Sequence, residues 1–132
     1  MAQVGIHSNP LVSKQRQGQS IVDDPIGVHS NSRGTFSFAT SGPNTRSCQV
    51  FFNFVNNAYL DREGFTPVGE VVQGMELVDG LYAGYGEGGR GDGSDGKGPA
   101  QGRINNFGNV YLDKYFPKLS YIIQAKVIED PF

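Results

Sequence analysis

The chain has 132 residues, a formal charge of −2 and a pI near 5.6, so it is sized for one domain and carries no field for nucleic acid or an anionic membrane. A single cysteine, Cys48, excludes an intrachain disulfide and a secreted disulfide scaffold, and leaves the compartment open. No run of apolar residues is long enough to span a membrane, and the first twenty residues show no signal-peptide pattern.

In chain order, residues 1–6 read as a short strand. Residues 7–32 are rich in Ser, Asn, Gln, Gly, Asp and Pro, and read as an extended surface excursion. In Thr35, Phe36, Ser37 and Phe38 small polar and aromatic residues alternate, the period of a half-buried strand. Ser41, Gly42, Pro43 and Asn44 supply turn chemistry. An apolar run over 49–54 follows, and its alternation puts Phe52 and Phe54 on one face and Phe51 with Gln49 on the other. Residues 56–69 read as a surface turn whose large apolar members are Tyr59, Leu60 and Phe65. A strand is expected over 68–72, and a helix opens after Gly74 with Met75, Val78, Leu81 and Tyr82 at near-helical spacing.

Residues 84–98 form a glycine-rich surface loop, because such composition buries too little to offset its ordering entropy. Its suggestive strings carry little weight. Gly91, Gly93 and Gly96 match a dinucleotide fingerprint, but no strand precedes them. Residues 91–97 approach a P-loop, but Gly98 stands where Ser or Thr would hold magnesium. Arg90, Gly91 and Asp92 spell an adhesion tripeptide of the kind glycine-rich loops produce by chance. Asp92 and Asp95 lack the glutamate that closes a calcium loop. Helical spacing returns over 101–115 through Ile104, Phe107, Tyr111 and Tyr115, and Pro117 ends it. Gly102 and Gly108 weaken that helix by up to ~1 kcal/mol each relative to Ala. Over 120–128, Tyr121, Ile123, Ala125 and Val127 alternate as a closing strand. His7 and His29 have no ligand-spaced neighbours and read as solvated side chains, and Cys48 reads as a small, at least partly buried thiol. No metal or cofactor is expected.

Residues 38–54, FATSGPNTRSCQVFFNF, resemble the F-x-M-A-N-x-G-P-N-T-x-x-S-Q-F-F-I core of cyclophilin-type peptidyl-prolyl isomerases. A second stretch, VGEVVQGMELV, resembles the family's F-G-x-V-x-x-G-M-x-V-V, in the right order. The opening MAQVGIHSNP is similar to G-F-M-x-Q-G-G-D entered at its methionine. Against the pattern W-L-D-x-x-H, Tyr59 takes the aromatic position, Leu60 the leucine, and Phe65 the place of the histidine. Thr40 replaces an asparagine. The resemblance covers essentially the whole chain and about the later two-thirds of a family domain. The family's first strands, first helix and catalytic arginine precede the methionine, and no residue here occupies the arginine's position.

What the resemblance implies is a mainly β fold: a cyclophilin-like antiparallel β-barrel with two helices, lacking the family's first strands and first helix, in one partial domain over 1–132. It implies an apolar well of Met1, Phe51, Leu60 and Phe65 for a proline ring. Gln3 and Gln49 would be its hydrogen-bonding walls, and the backbones of Ala39 and Thr40 would grip the substrate chain. Cys48 would lie at the rim of a second pocket with Arg46 and Ser47. The implied partners are proline-containing peptides or proteins, and the implied activity is isomerisation of X-Pro bonds, with no catalytic side chain assigned within this chain. The alternative is an inactive, cyclophilin-like structural subunit docked in a larger assembly, since missing strands leave sheet edges that a partner chain would cover.

Overall fold

The structure, a computed structural model, describes residues 1–89 and 98–129. Four short strands build one antiparallel sheet: β1 (Ala2–Val4), β2 (Thr35–Phe38), β3 (Val50–Phe52) and β4 (Pro67–Glu70), in the order β1-β3-β2-β4. The register puts Gln3, Phe51 and Ser37 in one row across three strands, and Ala2, Phe52 and Phe36 in the next. Rows alternate between faces. Phe51 is accordingly buried on the inner face, while Phe36 and Phe52 stack on the other with ring centroids 5.4 Å apart. Among the described residues the sheet is open, with β1 and β4 at its edges.

The excursion over 7–32 is not without regular structure, as its composition suggests. It holds an α-helix, α1 (Pro10–Gln17), started by Asn9, whose side chain accepts from the Leu11 N–H at 2.9 Å. Pro10 occupies the first helical position, where its missing N–H costs nothing, and Lys14 and Arg16 sit in the last turn, complementing the dipole. Only Ser13 of this helix is buried, its hydroxyl donating to the His7 carbonyl. A 3-10 turn over Ala58–Glu63 precedes β4, and α2 (Met75–Asp79) follows it. Arg33 ties α2 to the sheet, forking onto both Asp79 oxygens (2.9 and 2.6 Å) while donating to the Phe54 carbonyl.

The single helix expected over 101–115 is two: α3 (Gln101–Phe107) and α4 (Asn109–Tyr115). Gly108 breaks it at φ 56°, ψ −142°, a conformation essentially restricted to glycine. The cause is tertiary. The Ser8 carbonyl lies against Gly108 and accepts from the Asn109 N–H at 3.3 Å, so the N-terminal segment wedges into the helical path. The break turns Tyr111 inward, where it stacks on Phe116, and leaves Phe107 and Tyr115 exposed. With four α-helices and a 3-10 turn, the described residues exceed the two helices anticipated.

The closing strand expected over 120–128 is not formed either. That stretch has no ladder partner, and Ile123 and Val127 are over 90% exposed. Alternation makes a strand possible, but only a neighbouring edge makes it real. The strings at 90–97 and residues 130–132 lie outside the described residues. Among the described residues no helix is long and apolar enough to cross a membrane.

Gly108 yields the first prediction. Replacing it by Ala strains the backbone and drives a methyl group into the Ser8 carbonyl. Thermal unfolding of Gly108→Ala is expected to show a loss of at least ~2 kcal/mol, roughly 5–10 °C in midpoint. The same change at Gly102, whose surroundings are open, should leave the midpoint level or raise it slightly.

Candidate functional site

The inner face of the sheet, the loop after β2 and the 3-10 turn enclose a pocket of about 280 Å³. All eight residues singled out from the sequence, Met1, Gln3, Ala39, Thr40, Gln49, Phe51, Leu60 and Phe65, line it. Phe51 and Leu60 form a floor only 3% and 5% exposed, and the Phe65 ring meets Phe51 edge to face at 5.6 Å. That T-shaped contact is a favoured aromatic geometry, so Phe65 both walls the pocket and stabilises its floor.

The polar wall is a relay of amides. Gln3 Nε2 donates to Gln49 Oε1 at 2.9 Å, and Gln49 Nε2 donates to Gln101 Oε1 at 3.2 Å. Gln101 opens α3, and its inclusion was not anticipated, nor was that of Ser41, Thr45 and Ser47. The loop residues could have been found from their place between the two strands. Gln101 had no local signal, because only the tertiary fold brings α3 to the sheet. The Ala39 N–H is committed to the Gln49 carbonyl at 3.0 Å, holding the rim against β3.

Arg46 belongs to the support of the rim. Its side chain is 5% exposed, pairs with Asp24 at 2.8 Å and Asp23 at 3.3 Å, donates to the Val22 carbonyl, and lies over the Phe38 ring at 5.5 Å. Asp23 and Asn44 exchange side-chain-to-backbone bonds of 2.9 Å in both directions. The Ser-Gly-Pro-Asn loop is thus clamped by the long excursion, a role composition could not reveal. Ser47 lines the pocket, Arg46 does not, and Cys48 is half-buried. Among the described residues no three His, Cys, Asp or Glu side chains gather as a metal-binding group.

Beneath the floor runs a polar network. Asn31, Ser37 and Asn53 are fully buried, and Asn57 nearly so. Asp61, next to Leu60, accepts from the Ser30 hydroxyl (2.6 Å), the Asn31 N–H (2.8 Å) and Asn31 Nδ2 (2.7 Å). These bonds favour the ionised carboxylate, so Asp61 titrates below its ordinary value, the Ser30 hydroxyl being the largest cause.

The pocket on the inner face of the sheet thus combines an aromatic floor with an amide wall. The family model for cyclophilin type peptidyl-prolyl cis-trans isomerases matches residues 1–109, and the chain belongs to that family. The chain is also similar to proteins named peptidyl-prolyl cis-trans isomerase-like 3 from Rattus norvegicus, Mus musculus and Homo sapiens. Each is 39% identical over 51 residues, a match covering 39% of this chain and 31% of the relative.

The Asp61 carboxylate sets a pH dependence. Its pKa is depressed in the folded state, so its contribution to stability is complete above the ordinary Asp value. That contribution is lost as pH falls through the folded value. Asp61→Asn keeps one acceptor oxygen that does not titrate. Urea unfolding at pH 6 and pH 3 is expected to show a smaller acid-induced loss in Asp61→Asn than in the parent. An equal loss in both proteins refutes this role. Asp79, depressed by Arg33, supplies a loss of the same sign that the substitution leaves in place.

Proposed function

We propose that the pocket over Phe51 binds X-Pro segments, the proline ring seated among Met1, Phe51, Leu60 and Phe65, and that the family's cis-trans isomerisation is the chemistry it serves. The observation that carries this reading is the gathering of those four apolar side chains and the Gln3–Gln49–Gln101 relay around one cavity. The peptide barrier is ~20 kcal/mol because twisting breaks amide resonance. A pocket lowers it by holding the ring still while the preceding carbonyl rotates, provided that donors meet the charge of the twisted state. The backbones of Ala39 and Thr40 offer the grip on the chain before the proline.

This chain's own residues serve the holding step better than the electronic one. Arg46, the arginine nearest the rim in sequence, is committed to Asp23 and Asp24. The amide relay supplies neutral donors, roughly half as strong as a charged one. Residues 1–132 are therefore expected to bind more readily than they turn over. A second reading, an inactive structural subunit docked in a larger assembly, is favoured by the edges β1 and β4, unpaired among the described residues, and by the exposed Tyr121, Ile122 and Ile123.

The test is an NMR titration with an Ala-Ala-Pro-Phe peptide, following ring and methyl signals and the cis-trans exchange of the peptide itself. Signals of Phe51, Leu60 and Phe65 are expected to move, and Phe65→Ala to weaken affinity about ten-fold or more through lost apolar contact. Accelerated exchange supports an isomerase, and binding without acceleration supports the subunit. Unmoved pocket signals at millimolar peptide would sink the binding site itself.

A further inference from the structure

Asn31 uses every polar atom it has. Its N–H and one amide hydrogen go to Asp61 Oδ1 (2.8 and 2.7 Å), and Nδ2 also donates to the Phe65 carbonyl at 2.8 Å. Its Oδ1 accepts from the Ser37 hydroxyl at 2.7 Å and from Asn53 Nδ2 at 3.3 Å. Its backbone carbonyl accepts from the Asn57 N–H at 2.7 Å. The residue is fully buried.

Ser37, Asp61 and Phe65 each lead to the pocket by one step or belong to it. Ser37 is the cross-strand neighbour of Phe51. Asp61 follows Leu60, whose own N–H donates to the Asn57 carbonyl at 2.9 Å. Phe65 is itself a wall, and its N–H donates to the Leu60 carbonyl at 3.2 Å. Strand β2, the residue that follows β3 and the 3-10 turn thus meet at a single side chain beside the floor.

We propose that Asn31 is a positioning residue for the pocket: it fixes Phe65 and Leu60 against Phe51 at the spacing that admits a proline ring. The proposal rests on the pocket reading for its ligand, but the geometry it asserts exists without one. Asparagine is required by stoichiometry. The site needs two side-chain donations, to Asp61 and Phe65, and one acceptor shared by Ser37 and Asn53. Aspartate has the same shape but donates neither bond, and leucine has the volume but satisfies none.

The test exploits that difference. Asn31→Asp sets a buried carboxylate beside Asp61 and removes the donor to Phe65. Adding Asp61→Asn relieves the repulsion and returns a donor on the Asp61 side, while the Phe65 carbonyl stays without one. In the full chain, N31D is expected to lose both thermal stability and affinity for Ala-Ala-Pro-Phe. The double variant N31D/D61N is expected to recover most of the unfolding midpoint, yet to bind the peptide about ten-fold or more weakly than the parent. That expectation follows from the unpaired Phe65 acceptor. A purely structural Asn31 predicts that affinity returns with stability, and that result overturns the proposal. If the parent protein binds no prolyl peptide, the pocket reading fails, and the ligand-free signals of Leu60 and Phe65 still decide this one. Displacement of those signals in the stable double variant supports positioning, and unmoved signals overturn it. Should the double variant not fold, Asn31→Ser, whose single hydroxyl cannot serve both Asp61 and Phe65, gives the same reading.

Discussion

The hydrogen bonds behind Phe51 carry a share of this fold that hydrocarbon carries in most domains. The largest side chains with essentially no exposure are Asn31, Asn53, Ser13 and Ser37. The buried apolar residues among those described are Phe51, Leu60, Tyr111 and Phe116, divided between the pocket floor and the aromatic cluster of α4. Beside the floor run amides: Asn57 Nδ2 donates to Asn53 Oδ1 at 2.9 Å, and Asn53 Nδ2 reaches Thr35 Oγ1 at 3.0 Å as well as Asn31. A satisfied bond of this kind adds ~1 kcal/mol, while an unsatisfied buried group costs ~1–3 kcal/mol. The asymmetry makes such a core directional. It tolerates one arrangement and penalises near misses.

The rim obeys a similar rule with charge in place of amides. Arg46 is buried while Asp23 and Asp24 remain partly in water, so the guanidinium is matched without desolvating both members of each pair. Carboxylates at the surface and a cation inside let the excursion fasten the turn from outside. The cation–π contact with Phe38 then joins the clamp to β2. Pocket floor and rim therefore differ in balance: neutral amides around one carboxylate, Asp61, support the first, and a buried guanidinium between two carboxylates supports the second.

What the residues disclosed in advance depended on whether the signal was local. Strands β2 and β3 alternate because one face is buried, and the placement of Phe51 with Gln49 opposite Phe52 follows from that period alone. The eight pocket residues followed from motif resemblance, not from periodicity: Ala39, Thr40, Gln49 and Phe51 share one motif across two strands and a turn, while pairing of β1 with β3 brings in Gln3 and the 3-10 turn brings in Leu60. Helix α1 escaped notice because it has no apolar stripe: Leu11 is 75% exposed and Ser13 is its buried residue. The readable sign was Asn9 followed by Pro10, a cap and a first-turn proline. The break at Gly108 was illegible, since helical spacing continues through it and the wedge is a carbonyl 100 positions away in sequence. Asn31 was hidden for a related reason. Polar residues in a polar stretch look solvated until the contacts that bury them are known.

The pocket's chemistry then turns on the difference between a floor and a donor. Apolar contact with a proline ring is the same for the planar and the twisted amide, so it strengthens binding without favouring the transition state. Only a group that interacts more strongly with the freed nitrogen lone pair accelerates the rotation. In this chain the cavity is lined by neutral donors, the hydroxyls of Thr40, Ser41, Thr45 and Ser47 and glutamine amides already bonded to one another, Gln3 to Gln49 and Gln49 to Gln101. Turning one of these amides toward a prolyl nitrogen breaks a link in that relay, and its neutral dipole returns less than a cation would. On the proposed reading Met1, Phe51, Leu60 and Phe65 would supply recognition, and acceleration of the rotation would call for a charged donor at the same cavity.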